Sequence, residues 1–136
     1  MGRIMALDFG AVRTGIAVTD ELRLIASGLT TIKTSGLFSF LKEYLEKEAV
    51  DCIVVGEPKQ MDGSASESEV LIKPFIHKLE RTFPDIPIQR QDERFTSKMA
   101  LDTMIAGGMK KKRRQNKATV DKVSATLILQ AYLDRI

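Results

Sequence analysis

The sequence has one cysteine, one histidine and no tryptophan. A lone cysteine excludes an internal disulfide and agrees with a reducing compartment. Cys52 sits inside the apolar run Cys52-Ile53-Val54-Val55, where a small core residue is expected rather than a nucleophile. Any Ser-His-Asp or Cys-His mechanism would have to use His77, which falls on a helical pattern with no such partners around it. Aromatic residues make up only 6% of the chain, so no aromatic-rich sheet face announces stacking on unpaired bases. No apolar run approaches the roughly 20 residues that cross a bilayer. The apolar stretch after Arg3 contains an aspartate and ends at Gly10, unlike a signal peptide. The opening residues also lack the Ser or Thr of a myristoylation site. These absences lead to the expectation of a cytoplasmic protein with no membrane contact.

What is present is an ordinary globular composition, 43% hydrophobic and 29% charged over 136 residues. It predicts a single domain spanning 1–136. Net charge is only +3, but its distribution is uneven. Lys110, Lys111, Lys112, Arg113, Arg114 and Lys117 crowd one short stretch beside Gly107 and Gly108. Such a run is either a solvated charged surface or a phosphate contact.

The apolar runs predict alternating elements. Ile4 to Gly10 reads as a strand buried on both faces, carrying a single carboxylate, Asp8. After a turn over residues 10–15, Ile16 to Thr19 forms a second strand, and so short a connection makes the pair an antiparallel hairpin. Leu24 to Ile32 makes a third strand. Thr34 or Ser35 can cap a helix whose apolar face is Leu37, Phe38, Leu41, Tyr44 and Leu45. Val50 to Gly56 is a continuous apolar run, as expected of a central parallel strand. Asp62-Gly63 signals a turn. Ser66 and Glu69 have capping-box spacing ahead of a helix with Val70, Ile72, Phe75, Ile76 and Leu79 inward. Ile86 to Gln91 is a short fifth strand. Thr96 or Ser97 caps a third helix with Met99, Ala100, Met104 and Ile105 inward, and Thr119 caps a last helix with the stripe Val120, Val123, Leu127, Ile128 and Ala131. The predicted class is α/β: a mixed five-stranded sheet, three strands antiparallel and then two parallel, flanked by helices.

Three carboxylates carry chemistry in that arrangement. Asp8 lies in the first strand, Glu93 just past the fifth, and Asp121 in the first turn of the last helix. Each has a bland alternative. Asp8 can accept hydrogen bonds from the turn at Gly10, Glu93 can pair with Arg94, and Asp121 can favour the helix dipole. If strands one, four and five are neighbours, all three can converge, and their repulsion would need cations between them. All-oxygen donors suit Mg²⁺ or Mn²⁺ rather than zinc. Such ions serve phosphodiester cleavage, and the basic stretch just before Asp121 would hold the polyanion.

At these residues the chain resembles a known family. Asp8-Phe9-Gly10 with Arg13, Gly15-Ile16-Ala17-Val18 and Asp20 is similar to the opening motif of the YqgF/RuvX family. Gly56-Glu57-Pro58 with Asp62-Gly63-Ser64, then Asp92-Glu93-Arg94-Phe95-Thr96-Ser97, then Lys117 through Asp121 with Ile128 to Leu133, resemble its further motifs in order. The resemblance implies an RNase H-like fold and a nuclease whose catalytic, metal-binding residues match Asp8, Glu93 and Asp121. It implies maturation of the 5′ end of pre-16S rRNA or, in an older description, resolution of Holliday junctions. Structured RNA is expected ahead of branched DNA, and the active species is a monomer or a homodimer. Arg13, Arg94, Lys110, Lys111, Lys112, Arg113, Arg114 and Lys117 are the expected nucleic-acid contacts. Glu57 departs from the family, which more often has an apolar residue there; Ser124 replaces a usual alanine.

Two rivals come from other classes. The Asp-x-Gly hairpin is similar to the phosphate loop of actin-like ATPases and sugar kinases, but those need two lobes and this length supplies one. A non-catalytic nucleic-acid-binding module would use the same basic stretch without a working acidic centre.

Overall fold

The computed structural model describes residues 2–60, 62–64, 66–93, 102, 105–108 and 116–136. Seven residues of β1 (Arg3–Phe9) and seven of β2 (Arg13–Thr19) form the predicted hairpin, but β2 begins at Arg13 rather than Ile16, so Gly15 lies in the strand opposite Asp8 and not in the turn. β3 (Ala26–Lys33) pairs antiparallel with β2 and slips register between Ile16 and Ala17. It starts later than expected, and Leu24 and Ile25 stay exposed because Asp20 collects the backbone N–H groups of Leu22, Leu24 and Ile25 into a turn instead. β4 (Val50–Glu57) and β5 (Ile88–Asp92) add in parallel, giving the order β3-β2-β1-β4-β5. β1 is therefore central, which explains why Ile4 to Leu7 are buried without alternation.

The sheet separates two cores. Met5, Leu7, Ile53 and Val55 face α1 (Leu37–Lys47) and α2 (Glu69–Thr82), joined by Leu37, Leu41, Ile72, Phe75 and Leu79. Ile4, Ala6, Ala17 and Val54 face α3 (Lys117–Arg135) through Ala125, Ile128 and Leu129. Strand alternation thus assigns Ile4, Ala6 and Asp8 to the α3 side. That side is built from small residues. A Cβ on Gly15 would collide with the backbone of Asp121, one on Gly28 would lie 2.7 Å from Lys122 Cγ, and one on Gly56 would lie 2.8 Å from Ile128 Cδ1. Glycine at these three positions lets α3 approach the sheet closely.

Several local expectations need correction. Neither Thr34 nor Ser35 caps α1; a 3₁₀ turn over Thr34–Gly36 leads into it, and the Thr34 hydroxyl is engaged with Gly10 O and Thr14. The capping box at Ser66 does not close, because the Glu69 carboxylate goes to Arg90 at 2.5 Å. Val70 is exposed, since the buried face of α2 runs through Glu69, Ile72, Phe75 and Leu79. Asn116, not Thr119, caps α3, accepting from Thr119 N at 3.2 Å. Asp121 therefore lies in the second turn rather than the first. The most buried face of α3 is Ser124, Ala125, Ile128 and Leu129, and Val120, Val123, Leu127 and Ala131 are half-buried. Ile105 is exposed; Thr96, Ser97, Met99, Ala100 and Met104 lie outside the described residues. Among the described residues no helix is long and apolar enough to cross a membrane.

Candidate active site

Asp8 ends the buried part of β1, and its neighbour in the sheet is β4. Gly56 occupies the β4 position one beyond the Leu7–Val55 pair and sits beside Gln91 of β5. Glu93 extends the ladder past β5, donating its N–H to Glu57 O at 3.1 Å. By alternation it shares a face with Gln91, the α3 side of the sheet. A Cβ at position 56 would lie 2.7 Å from Glu93 Oε2. The missing side chain on the middle strand is what lets Glu93 reach across β4 to Asp8.

The two carboxyl groups are close enough to act on each other. Both titrate high. Burial pushes Asp8 from its ordinary 3.8 up to about 6, and the charge of Asp121 adds to this. Burial, then the charge and the hydrogen bond of Asp8, push Glu93 from 4.5 up to about 9, with Arg90 opposing. Both shifts are upward, the expected direction for two carboxyl groups that are partly buried and repel each other.

α3 brings Asp121 to the same end of the sheet, resting its backbone on Gly15 opposite Asp8. Its carboxylate is close enough to raise Asp8 but pairs with Arg13, Nε to Oδ2, at 3.1 Å. Among the described residues no three of His, Cys, Asp and Glu form a group that could hold an ion. The site is a close pair of carboxyl groups, Asp8 and Glu93, with the third carboxylate beside it in an ion pair. Lys117 is exposed at the start of α3, one turn before Asp121 and on the same face. Arg94, Lys110, Lys111, Lys112, Arg113 and Arg114 lie outside the described residues. Glu57 pairs with Lys59 at 3.4 Å. His77 is exposed on α2. Cys52 is half-buried 4.0 Å from the Tyr132 hydroxyl, with its thiol pushed up by burial, as suits a structural residue.

The sequence alone did not mark three supports of the site. Gly15 and Gly56 act by the space they leave. Arg90 grips the Glu69 carboxylate with both terminal nitrogens, at 2.5 and 3.2 Å, while donating to Val55 O and Gly56 O. It thereby ties α2 to the strand ends that present Glu93.

The donor chemistry suits a divalent cation: the donors of Asp8 and Glu93 are all oxygens, and Gln91 Oε1 on the same face is buried without a hydrogen-bond partner among the described residues, while Asp121 is drawn aside by Arg13.

Comparison with known proteins agrees with the geometry. The RuvX family, described as Holliday junction resolvase, matches residues 2–135. A protein of Christiangramia forsetii provisionally named a pre-16S rRNA nuclease is 56% identical over 133 residues, covering 98% of each chain. A Bacteroides thetaiotaomicron protein with the same name is 54% identical over 134 residues, covering 98% of this chain and 97% of its own. Among solved structures, Fowlpox virus resolvase with Holliday junction DNA superposes with a TM-score of 0.63 at 11% identity, covering 98% of this chain and 97% of that one. Thermus thermophilus RuvC with a Holliday junction substrate gives 0.56 at 17%, covering 98% and 94%. The RNase H-like fold seen in the sheet order, together with relatives above half identity along the whole chain, makes this protein a member of the RuvX family.

Proposed function

We propose that this chain is a divalent-metal-dependent nuclease that hydrolyses phosphodiester bonds in the 5′-end processing of pre-16S rRNA in the cytoplasm. The observation that carries the reading is the approach of Glu93, just past β5, across the space left by Gly56 to Asp8 at the end of β1, with Asp121 of α3 close enough to act on Asp8. Names of relatives above half identity supply the RNA substrate. Asp8, Glu93 and Asp121 would hold Mg²⁺ or Mn²⁺. Bound there, the ion would polarise a phosphoryl oxygen, lower the pKa of a water and neutralise the leaving oxygen.

The chain's own residues prepare that state. Gly56 keeps the Asp8–Glu93 contact open, and burial of the pair makes its negative charge available to a cation rather than to water. Arg13, Arg94 and Lys117, with Lys110 to Arg114, would bind backbone phosphates and orient the scissile bond. Proton release from the pair accompanies metal uptake, so metal affinity rises with pH.

A second reading, Holliday junction resolution, is favoured by the likeness of the fold to two junction resolvases. It would call for a two-fold dimer that places one site on each of two strands. The test offers purified protein a 5′-extended 16S rRNA precursor and a synthetic four-way DNA junction side by side with Mg²⁺ or Mn²⁺. Cleavage of the RNA alone supports the first reading, and paired cuts in the junction by a dimer support the second. Binding of either without cleavage would reduce the protein to a nucleic-acid-binding module.

A further inference from the structure

Arg13 is anchored and yet pointed at the wrong partner for a phosphate contact. The hairpin turn before it is pinned by Thr34, whose N–H donates to Val12 O at 2.9 Å and whose hydroxyl donates to Gly10 O at 2.6 Å. From that fixed base its guanidinium reaches Asp121 at 3.1 Å. Lys33 is its direct neighbour in register on β3, exposed. The pairing neutralises the carboxylate that would complete the cation site, and it ties up a cation beside that site.

We propose that Arg13 is an exchangeable partner of Asp121: a divalent ion that takes Asp121 releases Arg13, beside Lys33, to a backbone phosphate of the nucleic acid. This rests on the metal-nuclease reading above. Metal and polyanion then bind cooperatively, because each removes one side of the same ion pair. A phosphate that draws Arg13 away frees Asp121 for the ion, and the ion frees Arg13 for the phosphate. By linkage the two effects are equal in size. Arg13 is a positioning residue for the metal and a contact residue for the substrate. Lys33, with the same charge one strand away but not the group paired with Asp121, contributes only to the second role.

The test is calorimetric titration of Mn²⁺ into wild type, Arg13→Gln and Lys33→Gln, repeated with a saturating non-cleavable phosphorothioate RNA. Nucleic-acid affinity is read by fluorescence anisotropy with and without the ion. Arg13→Gln is expected to bind Mn²⁺ alone about two- to fivefold tighter, the range of a partly exposed ion pair. It should also bind the RNA more weakly and lose most of the metal–RNA coupling, which in wild type should reach at least about fivefold. Lys33→Gln should weaken RNA binding and leave Mn²⁺ affinity unchanged. If Arg13→Gln leaves metal affinity unchanged, or Lys33→Gln tightens it equally, the exchange is wrong while the metal site stands. No Mn²⁺ binding by wild type would overturn both.

Discussion

At Glu93, burial and the neighbouring Asp8 charge hold a proton far above the usual carboxylate range. The sign of the pH effect follows. Both groups bind protons more tightly in the folded chain than in the unfolded one. Their contribution to stability is complete below their ordinary values of 3.8 and 4.5 and is lost as pH rises through about 6 and about 9. Thermal melts of the metal-free protein across this window should therefore fall with rising pH. The fall should be shallower in Glu93→Gln, which has no proton to lose there. Mg²⁺ should restore more stability at pH 8.5 than at pH 5.5, because it replaces the proton. Equal melts for wild type and Glu93→Gln at every pH would show that the pair is not strained. Arg90 is the other residue whose partner is decisive. Glu69 is only 6% exposed, so Glu69→Ala leaves a guanidinium without its carboxylate at a strand end, at a cost of about 3 kcal/mol. Urea unfolding measures it.

At the scale of elements, α3 lies close on the sheet because glycines face it. The three positions should respond differently to alanine. Gly15→Ala meets backbone, the Asp121 carbonyl, so the helix must lift; about 1–3 kcal/mol of stability should go, and activity with it. Gly56→Ala meets Glu93 Oε2 at 2.7 Å and Ile128 Cδ1 at 2.8 Å. It should break the carboxyl pair and return Glu93 toward an ordinary pKa, readable by carboxyl NMR titration. Gly28→Ala meets side-chain atoms only, Lys122 Cγ at 2.7 Å and Thr126 Oγ1 at 3.1 Å, which can shift without lifting the helix backbone, so its melting temperature should fall less than that of Gly15→Ala. If Gly28→Ala costs as much as Gly15→Ala, close approach of the backbone is not the reason for these glycines. The strands themselves were legible: continuous apolar runs marked β1 and β4 as interior, and the short turn marked the hairpin. The helix caps were not. Ser66 and Thr34 had cap-like spacing, yet Glu69 and the Thr34 hydroxyl took tertiary hydrogen bonds that local spacing does not encode, while Thr119 gave way to a local rival, Asn116, three residues before it.

On the scale of the whole molecule, a strand order with β1 central brings residues 8, 93 and 121 to one end of one sheet face. Asp8 and Glu93 were visible in the sequence, because a charged residue in or just beyond an apolar strand is costly without a partner, and Asp121 was marked only by its place on the last helix behind the basic stretch. Their split into a close Asp8–Glu93 pair and an Arg13-bound third was not, since it depends on the hairpin turn that carries Arg13 to Asp121. The basic stretch from Lys110 to Arg114 tests the same account from the substrate side. Neutralising these residues should weaken nucleic-acid binding and flatten its dependence on salt, measured by anisotropy over a salt series. An unchanged slope would remove that stretch from the interface.

The most direct measurement compares wild type with Asp8→Asn on a 5′-labelled 16S rRNA precursor, with Mg²⁺ and with EDTA. A metal centre built on Asp8 requires cleavage by wild type with Mg²⁺, none with EDTA, and only background from Asp8→Asn despite retained RNA binding and a native melt. Undiminished cleavage by Asp8→Asn, or by wild type in EDTA, would contradict it.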